Sequence, residues 1–122
     1  MREHEHILPI PIYDLELVTV VTSDLLRSRI TRQKKLGTVH NTKDFEGLAG
    51  LSSNKHPYYT IFFQTPLTHE TIAHEIDHCV SKMLDDVGVK FDIKNHEPHA
   101  YLVGWVTKHI YSFLFDSGLK VS

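Results

Sequence analysis

The order strand, helix, hairpin, helix, helix predicts one α+β domain. Three observations in the sequence predict it. A β-branched run closes the segment Ile10 to Thr22. Apolar residues recur every three or four positions between Ile72 and Val87, and again between Leu102 and Leu114. No repeat, low-complexity tract or linker interrupts the 122 residues, so residues 1–122 form a single domain.

The elements follow in chain order. Tyr13, Leu15 and Leu17 alternate with Asp14 and Glu16, and Val18 to Thr22 then continue the segment as a strand. Ser23-Asp24 supplies an N-cap for LLRSRITRQKKL, a basic helix closed by Gly37. Residues 38–46 are polar and read as loop. Leu48 to Ser52 and Tyr58 to Gln64 (YYTIFFQ) are rich in strand formers, and the Ser53 to Pro57 connector makes them a hairpin. Thr65 and Pro66 open the strongest helix and Gly88 ends it. Its stripe is Ile72, Ile76, Val80, Met83 and Val87. After a loop from Val89 to Lys94, Asn95 caps a last helix with Pro98 in its first turn. Its buried face is Leu102, Val103, Val106, Ile110, Phe113 and Leu114, and its aromatic stripe from Trp105 to Phe115 is expected in the core.

Composition excludes several classes. Thirteen Lys+Arg against fifteen Asp+Glu give −2, which argues against nucleic acid as the defining partner. The run Arg27, Arg29, Arg32, Lys34, Lys35 is expected to be a solvated helix face. No stretch approaches about 18 consecutive apolar residues, so no membrane span is expected. The acidic, proline-broken first residues do not read as a signal peptide. The single cysteine, Cys79, rules out an intrachain disulfide and fits a reducing, cytoplasmic compartment. Histidine is over-represented, with ten residues, and it is the commonest metal ligand. His4 and His6 lie near a terminus expected to fray and could bind metal adventitiously, and Asp77 and Asp85 either hydrogen-bond within the site or are simply solvated.

The chemistry concentrates in His74-Glu75-Ile76-Asp77-His78, an H-E-x-x-H. Residues four apart on a helix share a face, so both imidazoles can reach one small cation. Ile72 and Ile76 lie on the other side, which lets the helix bury one face and present the histidines on the other. Glu75 can hold a water bound to the metal and act as its general base. Cys79 points away from the ligand face and is expected in the core.

A catalytic zinc takes a third protein ligand, and eighteen residues separate His78 from Glu97, giving H-E-x-x-H-x18-E. This pattern resembles the gluzincin branch of the zincin metallopeptidases. HEIDHCVSKMLDDVGVKFD followed by NHEPHAYLVGW is closest to the very small gluzincin-like proteins and is similar to short proteins encoded by bacteriophages. The resemblance covers roughly Leu48 to Phe115. It implies a minimal zincin-like fold: a small twisted mixed sheet, an N-terminal backing helix, the metal-bearing helix and a C-terminal helix. It further implies Zn²⁺ on His74, His78 and Glu97, with Glu75 as catalytic base. The implied substrate is a peptide or protein pairing with an edge strand at Tyr58 to Phe63. His96 or His99 could ligate in place of Glu97. Four positions after the glutamate, where gluzincins often carry an acid, stands Tyr101, a candidate donor to a developing oxyanion or a half-buried helix residue. Iron, manganese or nickel could occupy the same donor set. A metal-binding interaction protein with little or no hydrolysis is the alternative function, and nucleic-acid binding through the basic helix is the third.

Overall fold

β-branched and aromatic residues build two central parallel strands. The computed structural model describes residues 3–36, 40–41, 47–51, 57–90 and 92–122, with side chains over 3–32, 57–90 and 92–122. In order they form β1 (His4–Ile10), β2 (Leu15–Thr22), α1 (Leu25–Leu36), β3 (His40–Asn41), β4 (Gly47–Leu51), β5 (Pro57–Gln64), α2 (His69–Asp86) and α3 (Glu97–Asp116). The expected Gly37 stop of α1, most of the 38–46 loop and most of the connector before Pro57 lie outside the described residues.

The sheet is mixed, five-stranded and ordered β1-β2-β5-β4-β3. β2 and β5 run parallel, with Leu17 opposite Tyr59 and Val21 opposite Phe63. β1 pairs antiparallel with β2, and β4 antiparallel with β5. The strand expected at the edge is therefore central. Tyr58 to Ile61 are paired on both sides, by β2 and by β4, which leaves no open edge for a substrate strand along them. The physical reason is visible in the residues. Tyr58 to Phe63 are all buried, because a central strand covered on both faces needs continuous apolarity rather than alternation.

The expected strand Ile10 to Thr22 is also divided. Pro11–Tyr13 form a single 3-10 turn, and Asp14 closes it in the left-handed region at φ 53. The chain thereby reverses, and His4 and His6 sit in β1 instead of a frayed end. β1 pairs only with β2 among the described strands, and Pro9 is tolerated on such an edge.

The two faces of the sheet are covered differently. Leu17, Val21, Tyr59, Ile61 and Phe63 pack against Ile72, Ile76, Cys79, Val80 and Met83 of α2 and Val106, Ile110 and Leu114 of α3. On the other face Val20 and Phe62 meet Val18 and Leu25 at the start of α1. This is the α+β class that the sequence predicts, here a mixed sheet with three helices. No helix among the described residues is long and apolar enough to cross a membrane.

Helix ends explain where α2 sits. It starts three residues later than Thr65 and Pro66 predict, because Leu67 is buried and hydrogen-bonded to the chain end, with Ser122 N–H donating to its carbonyl at 3.1 Å. Thr68 is the N-cap, its Oγ1 accepting from Thr71 N–H at 3.1 Å. At the other end Gly88 adopts φ 84. Val89 N–H donates to the Leu84 carbonyl and Gly88 N–H to that of Asp85, at 2.8 and 3.1 Å. That pair of bonds is the Schellman arrangement. α3 begins from His96 as N-cap, one residue after the expected Asn95.

Two measurements follow. Ile76 is fully buried beneath the sheet, and Ile76→Ala is expected to cost about 2–5 kcal/mol in urea melts. Tyr59 O–H donates to Asp86 Oδ2, joining β5 to the end of α2. Burial, then the Asp86 carboxylate, raise its phenol well above the ordinary value. A raised folded pKa stabilises fully below the unfolded value, about 10, and that contribution is lost as pH rises further. Stability is therefore expected to fall above about pH 10 in denaturant melts, and to fall less in Tyr59→Phe.

Candidate metal centre on the second helix

α2 is anchored by one face, and the histidine pair lies on the other. Ile72, Ile76, Cys79, Val80 and Met83 are fully buried. His74 and His78 sit on the outward side, with the His74 side chain 64% exposed and His78 half-buried. Their ring centroids are 4.5 Å apart in an edge-on arrangement. Residues one helical turn apart can turn a nitrogen each toward one cation at the usual metal–nitrogen distance of about 2.0–2.1 Å.

Glu75 occupies the boundary between these faces. It is buried, and its Oε1 lies 3.9 Å from His74 Nε2. On its inner side it adjoins Cys79, whose thiol is pushed far up by burial and then by the Glu75 charge. A carboxylate with one flank on the core and one on a candidate ligand is held in place, as a general base must be.

α3 settles where the other candidates go. Val106 and Ile110 are fully buried, so positions seven residues before Val106 share its face and positions nine before it lie opposite. His99 is accordingly turned onto α2. Its Nε2 stands 3.1 Å from Asp77 Oδ1 and 3.1 Å from Ser81 Oγ. Both partners meet the same ring nitrogen, so the trio is not a Ser-His-Asp relay, which needs the acid on Nδ1. Glu97 is turned outward and exposed. It lines a groove with Pro11, Tyr13 and Tyr101, onto which neither His74 nor His78 opens. His96 is exposed, its Nδ1 3.2 Å from the Ile93 carbonyl.

The fit to zinc is thus partial. His74 and His78 provide two donors and Glu75 a neighbouring base. Among the described residues no group of three His, Cys, Asp or Glu is assembled that could hold a metal ion. Glu97 and Tyr101 are brought together with each other, but not with the pair. Tyr101 is 74% exposed on the same groove, rather than half in the core.

Other expectations sort as follows. Asp85 is exposed, near a small cavity of about 130 Å³ also lined by His96 and His99. Arg32 is engaged by Glu5 at 2.9 Å and Glu3 at 3.2 Å. That removes one cation from the basic face as a phosphate contact, and the Lys34 and Lys35 side chains lie outside the described residues. Within the aromatic stripe, Phe115 is 84% exposed, and Trp105 lines the groove. The sequence did carry a signal for that groove in Pro11, which opens the turn that brings Ile12 to the surface.

Comparison with protein-family models, curated proteins and solved structures finds no match. The chemistry of the site therefore rests on its own residues.

Cys79 is fully buried with a raised thiol pKa, so it is expected to resist iodoacetamide in the folded protein and to react once urea unfolds the chain. Native-state labelling followed by mass spectrometry checks this.

Proposed function

We propose that the protein is a metal-dependent hydrolase of peptide or amide bonds, with His74 and His78 as donors to Zn²⁺ and Glu75 as general base. The observation that carries this reading is the placement of a buried carboxylate beside the exposed member, His74, of an edge-on histidine pair. The resemblance of the motif to zincins supports it further, and implies Glu97 as third donor. When bound, the metal supplies Lewis-acid polarisation of a carbonyl and of a water. The chain's own contribution is at Glu75. Its carboxylate is fixed beside His74, where it can accept a proton from an attacking water and return it to the leaving amine.

A second reading is favoured by a specific observation. Glu97 faces the groove and not the pair, and two protein donors leave more open positions than a catalytic zinc site usually has. On this reading the protein binds metal through the pair and acts by docking a partner, with little or no turnover.

One set of measurements separates the readings. His74→Ala and His78→Ala are each expected to weaken zinc binding, measured by calorimetry, by at least about a hundredfold. Glu75→Gln is expected to retain zinc and lose hydrolysis of a peptide library by about a thousandfold or more. Hydrolysis insensitive to chelator, or equal in Glu75→Gln, overturns the hydrolase reading. Zinc binding without turnover selects the second reading, and absence of zinc binding removes both. Glu97→Ala decides the third donor, because a side chain facing the groove should leave zinc affinity unchanged.

A further inference from the structure

The turn Ile10 to Tyr13 and the first half of α3 enclose an open groove of about 660 Å³. Its walls are Pro11, Ile12 and Tyr13 on one side and Pro98, Tyr101 and Trp105 on the other. Ile12 is 86% exposed and Tyr101 is 74% exposed, so a contiguous apolar and aromatic surface faces solvent. Such surfaces on soluble domains mark binding sites more often than they arise by default.

Two observations specify the occupant. The phenols of Tyr13 and Tyr101 and the indole of Trp105 make no hydrogen bond to another described residue. These three donors line an otherwise largely apolar trough, where an extended peptide can offer them carbonyl acceptors in place of water. An α-helix has spent its carbonyls on its own backbone, and an added β-strand needs a backbone edge, of which Ile10 is the one residue lining this groove. A polyproline-type segment has no internal hydrogen bonds, exposes its carbonyls and is already extended, so ordering it costs little. The second observation is charge. Among the described residues Glu97 is the sole charged one lining the groove, and its exposed carboxylate complements a Lys or Arg side chain.

We propose that this groove docks an extended, proline-containing peptide. Its carbonyls accept from Tyr13, Tyr101 and Trp105, and a basic side chain pairs with Glu97. The inference does not rest on the metal reading, and it gives the docking alternative a definite surface.

Trp105 is the single tryptophan, so its emission reports the groove directly. The experiment titrates full-length protein, in chelator, with a synthetic peptide of about ten alternating prolines and leucines ending in arginine. The expected result is a saturable shift in Trp105 emission. Binding should weaken at least tenfold when alanines replace the prolines, and at least tenfold in Tyr101→Ala. Glu97→Lys should reverse the preference between the arginine peptide and a glutamate-ended one, with circular dichroism confirming folded protein. No saturable change up to about millimolar peptide overturns the proposal. So does equal affinity for the alanine peptide, or binding unaffected by Tyr101→Ala. An emission shift driven by protein concentration alone, with a dimer in sedimentation, also overturns it and assigns the groove to a second copy of the chain.

Discussion

The packing of the α2 stripe against β2 and β5 is the constraint on which the rest of the molecule depends. Ile72, Ile76, Val80 and Met83 are fully buried against Leu17, Val21, Ile61 and Phe63. Each such side chain contributes roughly 1.5–3 kcal/mol of transfer free energy, so the rotation of the helix about its axis is strongly determined. With that rotation set, the 3.6-residue period places His74 and His78 in solvent and leaves Glu75 at the boundary. The histidine pair is a by-product of core packing in geometry, whatever it does in chemistry.

The same argument applied to α3 sends its polar residues in two directions. Val106 and Ile110 hold its buried face, which carries His99 onto α2 and turns Glu97 and Tyr101 to the opposite side. The spacing between His78 and Glu97 matches a metal site in one dimension, but helix phase decides where the carboxylate points. What Glu97 gains by facing outward is a place in the lining of an aromatic groove. The histidine face of α2 and the aromatic groove are therefore separate surfaces of the same domain.

Legibility in the sequence followed the strength of local signals. The two long helices were readable from their stripes, and Gly88 marked the end of α2 because only a residue tolerant of φ 84 closes that turn without strain. The H-E-x-x-H pair was readable because both of its members lie within one helical turn. β1 was not readable from its own residues. His4, Glu5 and His6 have little strand propensity, and they are held by pairing with the β-branched β2. The position of β5 in the sheet was half-readable. Its uninterrupted apolar run signals burial on both faces, whereas a hairpin with β4 says nothing of a second partner on the other side.

By itself, then, the amino-acid order determined the helices, the strands β2, β4 and β5 in outline, and which side chains share a helical face, since these depend on neighbours a few residues away. The tertiary structure alone decided the strand order, the reversal at Pro11 to Asp14 that creates the edge strand, and the direction of the Glu97 carboxylate. Those outcomes depend on how separate apolar faces pack against one another across the whole chain. No local period encodes that.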